Sequence, residues 1–416
     1  MPTIAYVANE FPNDVEWYVA DEIRELRRQG AAVRPYSARR VRPERVPRAE
    51  RDLAFETDCL QPLPLTTALA AAFLCVRSAG QLADFFRRIF WEGHEPIGRR
   101  MRALAHTLLG AAFALRLQGQ RVDHIHAHHG YYASWIAMVA ARLLRVPFSL
   151  TLHGSDLLVN GSYLDLKLKH CAFCRTISEY NRDYILAHFP QIPRQKIQVE
   201  RLGVDVPAAT VAELRDSDNS LPLKLVAVGR LHAVKNHQFL VRACYYLREF
   251  GVDVHCWIVG AGPERRALQF LIHELQLEPI VRLVGEIPRE EVTRFYEMAD
   301  IVVLTSLSEG IPLVLMEAMA RARIVLAPAI TGIPELVIDG KTGFLYQPDD
   351  LEGFVWRVDQ IGRSLHTLNG VRRAARERVK THFERQPNLQ RTASEFLARF
   401  NRHDGVEHEN PVLQQI

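Results

Sequence analysis

DIVVLTSLSEGIPLVLMEAMARARIVLAP, residues 300–328, reads as one strand–helix–strand unit. An apolar run ends at Thr305-Ser306, Pro312 is suited to a first helical position, and a second apolar run starts at Ile324. Two strands joined through a helix are parallel neighbours, and a parallel sheet is covered on both faces. The same alternation extends towards the N-terminus. LKLVAVG (223–229), a helix over 235–250 stopped by Gly251, VHCWIVG (254–260), a helix from Pro263, VRLVG (281–285) and a helix from Pro288 follow one another. The first half repeats the pattern with strands TIAYVA (3–8), VDHIHA (122–127), FSLTLH (148–153), FCRTIS (173–178) and KIQVERL (196–202). Its first helix carries Val15, Val19, Ile23 and Leu26 at helical spacing and ends at Gly30. The fold class is therefore α/β: two doubly wound, Rossmann-like domains whose parallel sheets face each other across a cleft, with ligands beyond the carboxyl ends of the strands.

The polar, Pro-bounded stretch 205–222 reads as a linker, dividing an N-terminal domain (1–208) from a C-terminal one (209–385). A last helix and tail (386–416) are expected to cross back onto the first domain. Residues 38–120 form a helical insertion that opens with Arg39, Arg40, Arg42, Arg45, Arg48 and Arg51. Within it, GRRMRALAHTLLGAAFALRLQGQR (98–121) has two readings. It is a packed helix with a solvated rim, or a helix lying on an anionic membrane.

With 416 residues, two or three domains are expected, and a formal charge of +4 is too small to point to nucleic acid. Cys171 and Cys174 form a C-x-x-C without the second pair a zinc site requires, so both are expected in the core. The first residues lack the basic start of a signal peptide, and the apolar run 68–76 is far short of the ~20 residues of a membrane span. A cytoplasmic location is expected, with peripheral contact at the inner face of an anionic membrane as a further reading.

Three groups of residues carry chemistry. Gly229 ends a strand, and Arg230 and Lys235 follow before a helix, which suits an anion, although two surface cations in a loop would look the same. Gly260 and Gly262 of GAGPE make a tight turn in the same sheet. Glu309 and Glu317 stand eight apart around a helix start, whose amides over Gly310, Ile311, Leu313 and Val314 have no partners inside the helix. A diphosphate there, flanked by carboxylates that hold vicinal hydroxyls, is the sharper reading. The plainer one is a Glu at a helix dipole and an ordinary helical Glu. His153 ends a strand and is followed by Gly154, where backbone can approach a ligand. His124, His126 and His128 alternate as in metallohydrolases, but no second ligand cluster accompanies them, and Asp216 and Asp218 lie in the polar linker, so no metal is expected.

VGRL with Lys235-Asn236, GAGPE, SEGIPLVLMEAMA (308–320) and TGIPELVIDGKTGFLYQPDD (331–350) occur together in one order. With FPNDVEWYVADEIRELRRQG (11–30), HAHHG (126–130), TLHGSDL (151–157), TISEYNRDYI (176–185) and RLGVDV (201–206), the chain resembles the retaining glycosyltransferases of family 4, with the GT-B fold, over most of residues 1–385. It is most similar to the branch that builds exopolysaccharides. The resemblance implies metal-independent transfer of a hexosyl group from a nucleotide diphosphate sugar to a hydroxyl of a glycan or lipid-linked saccharide. It implies His153, Glu309, Arg230 and Lys235 as catalytic residues. Donor binding falls to Gly229, Arg230, Lys235, Gly260, Gly262, Ile287, Glu309, Gly310, Ile311, Pro312, Leu313, Val314 and Glu317, with the base near Gly285–Pro288. Glu16, His128, Gly130 and Asp156 are implied on the acceptor side. No cofactor, metal or nucleic acid is implied. The chain departs from the family pattern at Val15-Glu16-Trp17-Tyr18, where Ser-Glu-Thr-Phe is usual, within ARARIV, where a Gly is usual near Ala322, and at Thr331, where Gly is common. A non-catalytic nucleotide-sugar-binding subunit is the alternative; it would not need His153 and Glu309, and both are present.

Overall fold

The structure is a computed structural model, and it describes residues 1–13, 16–41, 46–93, 95–208 and 222–401. Val15, Arg42, Arg45, Asp216, Asp218 and the tail beyond 401 lie outside the described residues. Two compact units emerge. The first holds Met1–Thr176, Ile185–Glu200 and the chain from Leu389 onward; the second holds Ile177–Tyr184 and Arg201–Asn388.

The first unit is built on β1 (Thr3–Glu10), β2 (Ala32–Arg39), β3 (Asp58–Cys59), β4 (His124–His128), β5 (Phe148–Leu152), β6 (Phe173–Thr176) and β7 (Ile197–Val199). Their order is β3-β2-β1-β4-β5-β6-β7, and all neighbours run parallel. Strand order therefore reverses between β1 and β4. The helix Trp17–Arg28 buries Val19, Ile23 and Leu26 against Ile4 and Tyr6 of β1 and ends before Gly30, whose φ of +98° suits glycine. The long helix Ile97–Leu117 packs along Tyr132–Leu144 so closely that a Cβ on Gly110 would come within 2.6 Å of Val139 Cβ. Ala393 and Phe396 of the last helix (Arg385–Asn401) are fully buried in this unit's core.

The second unit contains β8 (Leu223–Val228), β9 (Val254–Val259), β10 (Val281–Gly285), β11 (Ile301–Val303), β12 (Ile324–Pro328) and β13 (Phe344–Tyr346). The order β10-β9-β8-β11-β12-β13 is again parallel throughout, and the reversal falls between β8 and β11. Ligands of open α/β sheets bind at such reversals. The two positions to inspect are therefore the loops after β1 and β4 and those after β8 and β11.

Two sequence expectations change in detail. Pro288 and Pro312 stand one position before their helices, with ψ of 147° and 120°, rather than as first helical residues. Their fixed φ serves equally well at an extended cap residue. The cysteines of the C-x-x-C are free and buried, and burial pushes the Cys171 thiol up to about 12. No helix among the described residues is long and apolar enough to cross a membrane.

Candidate functional site

At the reversal in the second unit, two loops lie flush against each other. A Cβ on Gly260 would stand 2.0 Å from Gly229 O, and one on Gly262 would stand 2.3 Å from Leu231 O. Both glycines are thus required for backbone-to-backbone approach, with Gly260 also at φ +143°. The approach is locked by Gly229 N–H to Val259 O at 2.9 Å and Leu231 N–H to Ala261 O at 2.8 Å. Lys235 is fixed from the other side: its carbonyl accepts from Thr305 Oγ1 at 3.0 Å, and Leu307 N–H reaches Val234 O at 2.8 Å. The loops after β8 and β11 are therefore stitched together, and Lys235 Nζ meets Glu309 Oε1 at 2.5 Å. Arg230 is exposed and has no side-chain partner among the described residues.

Glu309 leads into the helix Leu313–Ala320, which buries Leu315, Met316, Ala318, Met319 and Ala320. Among the described residues, the amides of Gly310, Ile311, Leu313 and Val314 have no protein acceptor. Thr331 has φ +44°, a costly backbone for a β-branched residue, and its Oγ1 accepts from Glu309 N–H at 3.4 Å. Ala322 is likewise left-handed, at φ +54°. The two positions where the family pattern favours Gly are thus both in the conformation Gly adopts freely. Glu317 accepts from Tyr296 Oη at 2.8 Å and from Arg289 Nη2 at 3.2 Å. An ionised carboxylate has about four acceptor sites, so both oxygens retain capacity for a further donor. Ile287, after β10, is half-buried against the core. One ammonium, at Glu309, and four open amides thus stand at the helix start, with Glu317 further along the helix. That set suits an anion carrying hydroxyl groups at both ends.

At the reversal in the first unit, the predicted residues are held in a buried network. Asp156 is fully buried and accepts from His153 N–H at 3.0 Å, Gly154 N–H at 2.9 Å and Gly130 N–H at 2.8 Å. It clamps the loops after β4 and β5 to each other. His129 sits between Glu16 (2.9 Å) and Asp156 (3.5 Å); burial opposes its charge, but the two carboxylates hold it up to about 10. Glu16, His128, Gly130 and Asp156 are thus all tied into this network.

The chain of rings fixes a tautomer. Burial opposes ionisation of Glu22, yet Arg175 and His128 hold it at about 2. An ionised Glu22 only accepts, so His128 Nε2, 3.1 Å from Glu22 Oε2, carries the proton. His128 Nδ1 is then the acceptor facing His153 Nε2 at 2.9 Å. Burial, His129 and His128 keep His153 neutral, so its lone pair is on Nδ1. Nitrogen-15 NMR of the ring should show that tautomer. In Glu22→Gln, whose amide can donate to His128, a fraction should change to a lone pair on Nε2. A wild-type lone pair already on Nε2 would contradict the assignment.

Glu22, His126 and His128 place one ligand atom each within 4.8 Å of the others, which resembles a three-ligand metal set. The structure fills it otherwise. His126 Nε2 accepts from Arg175 Nη2 at 3.1 Å, its Nδ1 meets Ser149 Oγ at 2.7 Å, and Ser149 Oγ meets His124 Nε2 at 2.7 Å. Arg175 also binds Glu22 and, at 3.1 Å, Glu200. One guanidinium cannot balance two buried carboxylates, and burial pushes Glu200 up to about 7.

Lys235 and Glu309 thus come together before the helix start, with Glu317 inside the helix, whereas the exposed Arg230 side chain is not brought into contact with them. His153 belongs to the first unit and joins His128 and Asp156. Glu22, Arg175, Glu200 and Tyr296 were not singled out from sequence. One signal was there to read: Glu22 lies between Val19 and Leu26 on the helix's apolar face, where an acid must find a buried partner.

Residues 15–207 match the model of Glycosyltransferase Family 4, and residues 215–378 that of Glycosyl transferases group 1. Over 209 residues the chain is 36% identical to the provisionally named colanic acid biosynthesis glycosyltransferase WcaL of Salmonella typhimurium, covering 49% of this chain and 51% of that protein. It is 34% identical over 213 residues to the amylovoran biosynthesis glycosyltransferase AmsK of Erwinia amylovora, covering 50% and 52%. The chain spans about half the length of the curated relatives it matches. Among solved structures it resembles HepE of Anabaena in complex with UDP, at TM-score 0.69, 17% identity and coverage of 96% and 100%. It also resembles the sucrose-phosphate synthase of Thermosynechococcus elongatus, at TM-score 0.72, 18% identity and coverage of 97% and 100%. At such identities the likeness is one of fold. Between them the two domain models span most of the chain, so that a match to Glycosyltransferase Family 4 is followed by a match to Glycosyl transferases group 1 on two doubly wound sheets of the GT-B fold.

Proposed function

We propose that this chain transfers a sugar, with retention of anomeric configuration, from a nucleotide diphosphate sugar to a hydroxyl of a glycan or lipid-linked saccharide in exopolysaccharide synthesis. The observation that carries the reading is the Lys235–Glu309 pair beside four open amides at the strand-order reversal. Departure of the nucleotide builds negative charge on its β-phosphate. Lys235, Arg230 and the amides of Gly310–Val314 are the donors that would meet it, preorganised before the reaction starts. Glu309 would hold hydroxyls of the transferred sugar while orienting the Lys235 ammonium, and Glu317 would hold the ribose. His153 keeps the role that the family resemblance gives it. Two relatives are named for colanic acid and amylovoran synthesis, which supports an exopolysaccharide product.

With two cations at the phosphate position, we propose that no divalent metal takes part. Turnover of UDP-, GDP- and ADP-sugars should be followed in EDTA, with the anomer of the product read by NMR. Retained turnover with the donor's anomeric configuration kept in the product supports the reading. A requirement restored by Mg2+ or Mn2+ contradicts the metal-free mechanism, and no turnover of any donor favours a binding subunit.

Peripheral membrane contact is a further part of the proposal. Leu65, Leu69, Phe73 and Val76 are all exposed on the helix Leu65–Arg77, at a spacing that forms one stripe. Sedimentation with vesicles of anionic lipid should be lost in Leu69→Asp/Phe73→Asp; unchanged sedimentation of that variant would remove this surface from the account.

A further inference from the structure

A small cavity of about 60 Å3 opens in the first unit beside the loop after β4. Arg99, Arg102 and His106 of the helix Ile97–Leu117 line it, together with Tyr131, Tyr132 and Tyr163. Its wall continues into the His153 loop, because Tyr131 Oη donates to Ser155 Oγ at 2.9 Å and Gly130 N–H to Asp156 at 2.8 Å.

Cations gather around His106. Burial, then the cations Arg39, Lys167 and Arg102, push His106 down to about 4; no carboxylate figures among the groups acting on it. Lys167 is buried and donates to the carbonyls of Gly130 (2.6 Å), Ser162 (2.9 Å) and Tyr131 (3.3 Å); burial pushes it down to about 7, against the pull of Asp156, Asp165 and Glu95. Nearby Glu95 and Asp165 are both taken by Arg88. Arg102 has no partner among the described residues, and Arg99 meets only Ser162 Oγ, at 3.2 Å. A second observation points the same way. Tyr163 is 4% exposed, stands at φ +54°, and its hydroxyl has no hydrogen-bond partner. Bulky residues are held in that conformation only where the surroundings enforce it, and a buried hydroxyl without a partner is costly.

We propose that this cavity is an acceptor subsite for an acidic saccharide, with the anionic group held by Arg99 and Arg102 and the sugar ring against the tyrosine walls. The inference rests on the transferase reading, whose donor side lies in the other unit. Two sources supply the same chemistry: a uronic acid within the acceptor glycan, or the diphosphate at its lipid-linked end. Guanidinium groups bind either in a forked geometry, and aromatic faces suit pyranose C–H groups.

Calorimetry on the full chain, with UDP present throughout to occupy the donor site, tests this with three probes. They are a glucuronic-acid-terminated disaccharide methyl glycoside, its glucose-terminated counterpart, and an octyl glucosyl diphosphate. One anionic probe is expected to bind at least ~10-fold more tightly than the neutral one, as a charge-assisted contact requires. The exposed pair Arg99→Ala/Arg102→Ala should remove that preference and leave UDP affinity unchanged. Preference for the uronate or for the diphosphate supports the subsite and assigns the source. Equal binding of neutral and anionic probes, or a preference that survives in the double variant, overturns it. Failure of UDP, GDP and ADP alike to bind would instead count against the transferase reading.

Discussion

Lys235→Ala is expected to lower kcat for sugar transfer by ~10²–10³-fold, the usual effect of removing one preorganised donor from a developing anion. The residue has little freedom to be replaced by a neighbour. Its backbone is tied to Thr305 and Leu307 lies on the preceding residue, so the ammonium emerges at one point, 2.5 Å from Glu309. Arg230 is exposed and unanchored, so it cannot take over that position. The loss also leaves Glu309 without its counter-charge. Both side chains keep some solvent contact, 20% for Lys235 and 11% for Glu309, which limits the effect on stability. Steady-state kinetics with thermal melts separate the outcomes. A large drop in kcat with a melt shifted by only a few degrees is expected, whereas wild-type turnover would remove Lys235 from the mechanism.

The largest expected loss of stability lies in the first unit. Arg175→Ala should destabilise it by about 3–5 kcal/mol, because breaking a buried ion pair strands a charge in low dielectric. Arg175 is 1% exposed and holds Glu22, Glu200, His126 and Thr151, and its guanidinium lies 5.0 Å from the centre of the Phe396 ring. Its two carboxylates give opposite pH dependences. Glu22, depressed to about 2, contributes stability above the ordinary 4.5 that is lost as pH falls through about 2. Glu200, raised to about 7, contributes stability that is complete below 4.5 and lost as pH rises through about 7. Denaturant titrations of the wild type and Arg175→Ala check both points; an equal midpoint in the two proteins would mean the guanidinium is not the balancing charge.

Much of this architecture was legible in the sequence, because apolar runs alternating with amphipathic helices leave few alternatives to parallel sheets. The glycines at 229, 260 and 262 and the Glu309–Glu317 spacing marked the helix start and its loops correctly. Side-chain pairing was not legible. Lys235 and Glu309 lie 74 positions apart and read as two separate tools, one for phosphate and one for sugar; only the stitching of the loops after β8 and β11 makes them a pair. The histidines on β4 had a similar limit. Their alternation shows that they share a face, but their partners Glu22, Ser149 and Arg175 come from other elements and were not legible.

The central claim is that peptide nitrogens at the start of the helix Leu313–Ala320 hold a diphosphate, with Lys235 beside them. Amide hydrogen exchange over residues 308–317, measured with and without saturating UDP, GDP or ADP, addresses it directly. Slowed exchange at Gly310, Ile311, Leu313 and Val314 with one of these nucleotides, weakened in Lys235→Ala, is the predicted result. A nucleotide that binds the chain while those four amides exchange as fast as before would contradict it.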